Sequence, residues 1–212
     1  MTTWDRTARF YDWQLPLERR SLRVAVELAN AGAGDRLLDL ATGTGGLLRR
    51  LSMEDGAPRE LVAVDSSTAM LARIPPLRPG WRVMHADARR LPLPERSFDV
   101  VTAAYLLHFL DKDDRRDVLH EAFRVLRPGG RLVVVTVTTP RSRALALLSA
   151  PVFALARRSS GSLAGLRPLD PRQELKRAGF AITAARRTGC GYPAIVVLAD
   201  ASSQSEALTG PR

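Results

Sequence analysis

Asp39, Asp65 and Asp87 each stand at the end of a short apolar run. A carboxylate so placed either caps the helix that follows or holds a polar ligand. The first belongs to the run Arg36-Leu37-Leu38-Asp39-Leu40 and opens onto the segment Ala41-Thr42-Gly43-Thr44-Gly45-Gly46. Glycines there allow a tight turn and let a ligand come close to the main chain. A negative charge at the mouth of that turn repels a diphosphate and attracts a cationic amine. Asp65 follows Leu61-Val62-Ala63-Val64, where an acid can accept hydrogen bonds from both hydroxyls of a ribose. Asp87, in His85-Ala86-Asp87-Ala88, falls one strand further out, within reach of an adenine amino group. Singly, each is as well explained by a helix cap. In ordered succession after three strands, they point to one crevice holding a nucleoside that bears an amine.

The same glycine segment matches the nicotinamide-dinucleotide fingerprint if Ala41 replaces its first glycine. Asp39 opposes that reading on charge, and a dehydrogenase leaves Asp87 without a task. The ligand that satisfies all three acids is S-adenosylmethionine, a nucleoside carrying a sulfonium and an amine.

These residues need a scaffold that brings strand ends together. Apolar runs alternate with helical patterns along the chain, the signature of a parallel sheet covered on both faces. Strands are expected at Arg36–Leu40, Leu61–Val64, Arg82–His85, Asp99–Ala103, Leu132–Val137, Ala181–Arg186 and Ala194–Ala199. They are rich in Val, Leu and Ala without clean alternation, as strands buried on both sides are. Helices are expected at Leu17–Ala31, Thr44–Met53, Ser67–Ile74 and Asp113–Leu126, with another starting at Asp170-Pro171. Arg127-Pro128-Gly129-Gly130 reads as a stop between the fourth of these helices and the next strand. The fold class is therefore α/β, a Rossmann-like doubly wound sheet. One domain is expected over residues 1–200, with a helical cap at 1–31, an inserted helical lid at 139–170, and a disordered tail at 201–212.

Composition narrows the function classes. A chain of 212 residues that is 45% apolar can build one substantial core. No signal peptide or membrane span is legible, and Cys190 is the only cysteine, which fits a cytoplasmic setting. His85, His108 and His120 lack metal-ligand spacing, so no metal site is expected. The formal charge is +10, and ten basic residues between Arg141 and Arg187 face only Asp170 and Glu174. That imbalance is either a solvated basic face or a surface for an anionic partner. The apolar stretch Ala144–Ala156, broken by Pro151 and flanked by arginines, suits an interfacial lid at the inner face of a membrane; it suits equally a helix pair closing a pocket.

With these motifs in place, the chain resembles the class I S-adenosylmethionine-dependent methyltransferases, most of all the branch of the ubiquinone/menaquinone C-methyltransferases and bacterial phosphatidylethanolamine N-methyltransferases. The resemblance covers roughly Arg6 to Thr138 and rests on Tyr11-Asp12, Leu37 to Gly45, Val64-Asp65, Asp87-Ala88 with Leu91-Pro92, Ser97-Phe98-Asp99-Val100-Val101, Leu107-His108, and Arg124 to Leu132. It implies a seven-stranded sheet, mostly parallel, with an antiparallel last strand. It also implies cofactor contacts from Tyr11, Asp39, Ala41, Thr42, Gly43, Gly45, Asp65, Ser66, Met70, Asp87, Ala88, Ala104 and Tyr105, with the methyl group near Ala104 and Tyr105. The His-His pair frequent after the fourth strand is here His108-Phe109.

The sulfonium supplies the reactivity, so the protein need mainly align acceptor, methyl and sulfur. An amine or phenolate acceptor needs no strong base; a carbon or hydroxyl acceptor benefits from one, and His108 and Tyr105 are the nearest candidates. Tyr11, Trp13, Tyr105, Phe153 and Tyr192 fall in segments that border the opening or fill core. The expected acceptor is a small-molecule, quinone-like or lipid compound. A nucleic-acid methyltransferase is the alternative. Against it, the fourth strand ends in Ala103-Ala104-Tyr105-Leu106, not the Asn- or Asp-Pro-Pro-aromatic sequence of amino-base methyltransferases. A catalytically silent cofactor-binding protein is a third reading. The sequence leaves the oligomeric state open.

Overall fold

The computed structural model describes residues 15–140, 167–189 and 193–201. Tyr11, Trp13, Phe153, Tyr192, residues 141–166 of the expected lid and residues 202–212 of the expected tail lie outside them.

Helix α1 (Leu15–Ala29) precedes strand β1 (Arg36–Leu40) and helix α2 (Gly46–Leu51). Then come β2 (Glu60–Asp65), the short α3 (Thr68–Leu71), β3 (Trp81–His85) and β4 (Phe98–Ala104). A single 3-10 turn, Leu107–Phe109, leads to α4 (Lys112–Val125), β5 (Leu126–Val137), α5 (Arg172–Arg177), β6 (Phe180–Thr188) and β7 (Ala194–Ala201). The strands form one seven-stranded sheet in the order β3-β2-β1-β4-β5-β7-β6. β7 runs antiparallel to both of its neighbours, and every other pairing is parallel. The doubly wound sheet with an antiparallel last strand is thus the observed architecture.

Alternation along β1 and β4 decides where the chemistry points. Leu38 and Leu40 of β1, with Val101 and Ala103 of β4, pack into the core on the α4 side. Leu37 and Val100 pack into the opposite core, with Leu22, Ala25 and Leu48 of α1 and α2. Because successive strand residues face opposite ways, Asp39 and Thr102 turn toward the α1–α2 side. They are register partners in adjacent parallel strands.

Several boundaries differ from expectation. α3 is one turn, not eight residues, because Pro75 and Pro76 follow Ile74 and disfavour helix before them. β5 begins at Leu126, directly after α4, but Arg127-Pro128-Gly129-Gly130 does not pair with β4 and is left-handed at Gly129 (φ 76°), so it interrupts the strand between Leu126 and Arg131. Leu126 pairs with Phe98, and the register shift between Phe98 and Val100 absorbs the irregularity. The edge strand β6 carries Arg186 and Arg187, charges of the kind that keep an open edge from pairing with another chain. Among the described residues, no helix is long and apolar enough to cross a membrane.

Candidate methyl-donor site

β1 delivers the chain into a turn whose backbone is left-handed at Ala41 (φ 52°), Gly43 (φ 56°) and Gly45 (φ 83°). Glycine reaches that region without cost; Ala41 does not, and a non-glycine residue held there is a frequent mark of a functional turn. The Thr42 N–H donates to the Val64 carbonyl at 2.9 Å, and the Gly43 N–H donates to Asp65 Oδ2 at 2.8 Å. The loop after β1 is therefore tied to the end of β2.

Asp39 is 1% exposed. Its Oδ1 accepts a hydrogen bond from the Thr102 hydroxyl at 2.6 Å, while Oδ2 is buried with no partner. Burial, with a smaller push from the Asp65 charge, raises its carboxyl to about 6, against the opposing hydroxyls of Thr102 and Thr42; the Thr42 hydroxyl does not reach hydrogen-bond geometry with Oδ2. A buried carboxylate oxygen without a donor is costly unless a ligand supplies one. An ammonium does so, and it would also restore the charged form. Asp39 lines a narrow cavity with Ala41, Thr42, Ala104, Tyr105 and Glu18.

Asp65 is buried and fully engaged with the backbone. Oδ1 accepts the Ser67 N–H at 2.9 Å, and Oδ2 accepts Gly43. Burial raises its pKa, and these N–H groups lower it again. Each oxygen keeps a second lone pair, so hydroxyl donors can still be received. Asp65 lines a second cavity, of about 340 Å³, with Ala41, Ser66, Asp87, Ala88 and Arg89. Leu106, Leu110 and Val118 give that cavity an apolar wall, as a purine requires. Asp87 is held by Arg89, whose Nη2 and Nε reach it at 2.6 and 3.0 Å; the Arg89 guanidinium holds the carboxyl below its usual range.

The three acids thus gather at one end of the sheet, but they do not share one crevice. Asp65 and Asp87 face the larger cavity, Asp39 the narrow one, and Ala41 is common to both. A nucleoside with an amino-acid tail fits that division, with the tail crossing the loop at Ala41. Met70 is buried in α3, and neither cavity is lined by it. Tyr11 falls outside the described residues.

His108, expected near the methyl group, lies in the 3-10 turn after β4. It is 1% exposed, beneath Tyr105 (ring centroids 5.9 Å apart) and against Phe109 (4.3 Å), and it lines neither cavity. Burial pushes its imidazole down to about 3, so it stays neutral and packs. Tyr105 does border the narrow cavity. Its backbone is left-handed (φ 58°), its N–H donates to the Val135 carbonyl at 2.8 Å, and its hydroxyl is hydrogen-bonded to Ser21 of α1.

Three contributors escaped the sequence reading: Thr102, Arg89 and Glu18. Register across β1 and β4 would have found Thr102. Glu18 sits on the same helical stripe as Ser21, Leu22 and Ala25, an acid where the period of α1 calls for an apolar residue. Nothing in the sequence marks Arg89 as the partner of both Asp87 and Asp114.

Residues 37–130 match the family described as a methyltransferase domain. The ubiquinone/menaquinone biosynthesis C-methyltransferase UbiE of Stutzerimonas stutzeri is 39% identical over 127 residues, covering 57% of this chain and 49% of the relative. The chain therefore spans about half the length of the relatives it matches. Among solved structures, an S-adenosylmethionine-dependent methyltransferase of Thermotoga maritima matches with a TM-score of 0.71 at 19% identity, over 94% of this chain and 99% of that one. The cyclase SpnF matches with a TM-score of 0.67, also at 19% identity, over 86% of this chain and 81% of its own. At such identities the likeness is one of fold, and this fold carries more than one chemistry. Residues 37–130 form a methyltransferase domain, and the chain built around it resembles the class I S-adenosylmethionine-dependent methyltransferases, the ubiquinone/menaquinone C-methyltransferases among them.

Proposed function

We propose that this protein is an S-adenosylmethionine-dependent methyltransferase that moves a methyl group directly to a small, apolar or amphiphilic acceptor of the quinone type. The observation that carries the reading is the unpartnered, buried Oδ2 of Asp39 beside a left-handed glycine loop, a place built for an ammonium. The quinone class is taken from the names of the relatives, which share about half their length with this chain.

When bound, the donor supplies a methyl already activated on sulfur. Asp39 would receive the ammonium, and the Ala41–Gly45 backbone would support the amino-acid tail. Asp65 would accept from the ribose hydroxyls while it holds the loop through Gly43. Ser66, Asp87 and Ala88 would border the adenine, with Leu106 against its face. Ala104 and Tyr105 would flank the methyl, and the hydroxyl link from Tyr105 to Ser21 would keep that wall in place. Such positioning and exclusion of water are what a methyl transfer asks of a protein. Contact with a membrane through the 141–187 region, along with a cytoplasmic setting at its inner face, remains part of this proposal; 141–166 lie outside the described residues.

The test is transfer of an isotopically labelled methyl from S-adenosylmethionine to a quinol lacking one ring methyl, read by mass spectrometry. A labelled ring carbon is the expected result. Donor binding with no label on any quinol would remove the acceptor class, and absence of donor binding would remove the methyltransferase reading itself.

A further inference from the structure

Glu18 lies in the first turn of α1, where an acid ordinarily sits in water and favours the helix dipole. Here it is 4% exposed. Its carboxyl has no hydrogen-bond or ion-pair partner among the described residues, and burial alone pushes it up to about 7. Solvating the helix end would not bring it inward, and no partner among the described residues rewards its burial. It borders the narrow cavity of Asp39, which Ala104 and Tyr105 also line. Ser21, one turn further along α1, is the residue bonded to the Tyr105 hydroxyl, which fixes that helix face against the end of β4.

That cavity therefore holds two carboxyls without cationic partners. The donor brings two cationic centres, the ammonium and the sulfonium. After transfer, the sulfur keeps the electron pair of the broken S–CH3 bond and is a neutral thioether, while the ammonium persists. Asp39, deep at the end of β1, serves the charge that both forms share. Resting on the methyltransferase reading above, we infer that Glu18 is the counter-ion of the sulfonium, the residue by which the site distinguishes the charged donor from its neutral product. Loss of the sulfonium charge leaves Glu18 without a partner, so the product is held less firmly than the donor.

Calorimetry on the full chain tests this without any acceptor. The ligands are S-adenosylmethionine, S-adenosylhomocysteine, and an analogue in which a protonated amine replaces the methylsulfonium. Glu18→Gln should weaken the donor and the charged analogue by about tenfold and the product by less than about twofold. Asp39→Asn should instead weaken all three by a common factor, since all carry the ammonium. Glu18→Asp keeps the charge and should retain more preference for donor over product than Glu18→Gln does. An equal change for all three ligands in Glu18→Gln, no change for the donor, or equal preferences in the Asp and Gln variants would overturn the assignment. A wild-type protein that binds neither donor nor product would strike the reading beneath it instead.

Discussion

Asp87, just after β3, and Asp39, within β1, belong to strands two places apart in the same sheet, yet their surroundings are opposite. The Asp87 side chain is 43% exposed and gripped by Arg89, which also holds Asp114. Asp39 is buried beneath α1 with one oxygen unpartnered, and the Glu18 carboxyl lies along the same cavity with no hydrogen bond or ion pair among the described residues. Where the cavity is open, the chain neutralises its own acid and water screens the remainder. Where it is closed, neither Glu18 nor Asp39 Oδ2 has a cationic partner among the described residues. The lesson is that the closed side carries binding energy for a charged ligand, and the open side carries shape.

The comparison would break most sharply on Asp39→Ala. Removal of the carboxylate proposed to receive the ammonium should weaken S-adenosylmethionine by about 30-fold or more, as expected for a charge-assisted hydrogen bond in a buried site. Asp87→Ala should weaken it by less than about fivefold. Equal effects in calorimetry would mean that the two sides do not differ.

Asp65, between the two, should lose in both respects. Asp65→Ala removes the acceptor of the Gly43 and Ser67 N–H groups, so it should lower unfolding stability by about 1–3 kcal/mol and donor affinity by more than about tenfold. Denaturant unfolding with and without donor separates the two losses.

pH distinguishes the two regions by sign. Burial raises Asp39 from 3.8 to about 6 and Glu18 from 4.5 to about 7 in the folded protein. Both groups therefore favour the fold when neutral, and their contribution is complete below the unfolded values and lost as pH rises through the folded ones. Asp87, lowered by Arg89, acts the other way: its contribution is present above 3.8 and lost as pH falls. Exposure keeps that second term small. The ligand-free melting temperature should thus decline from about pH 4 to about pH 7, and the decline should flatten in an Asp39→Asn, Glu18→Gln double variant. A decline of equal slope in that variant would place the titrating groups elsewhere.

The smallest effects belong to Arg89 and His108. Arg89→Gln frees Asp87 and Asp114 at the surface and should change stability by less than about 1 kcal/mol. His108→Asn should leave the pH profile of methyl transfer unchanged, because the imidazole is neutral throughout the working range. Loss of an acidic limb from that profile would assign His108 as a base.

Glycines and strand ends made the donor loop legible in advance, because left-handed backbone at Gly43 and Gly45 is a demand that few residues meet. Asp39 and Asp65 were legible for the same reason: each is fixed by the strand that carries it. Long side chains were not. Arg89 reaches its partners through rotatable bonds that no spacing constrains, and the burial of His108 depends on a single 3-10 turn tucked beneath Tyr105. The helix cap was read as a cover, and its one inward acid went unnoticed. The seven strands survived with shifted ends, since apolar runs locate a strand better than they locate its last residue.

A β-carbon placed on Gly46 would come within 2.9 Å of a Leu15 methyl and 3.3 Å of one on Leu22. The first residue of α2 and the start of α1 therefore meet closely enough that one extra carbon would displace the ends of two leucine side chains. In the proposed placement of the donor, that contact roofs its amino-acid end. An alanine at position 46 would prop that roof ajar, and we predict that it would speed donor exchange in stopped-flow mixing more than it lowers thermal stability; an unchanged exchange rate would show that the donor comes and goes by another door.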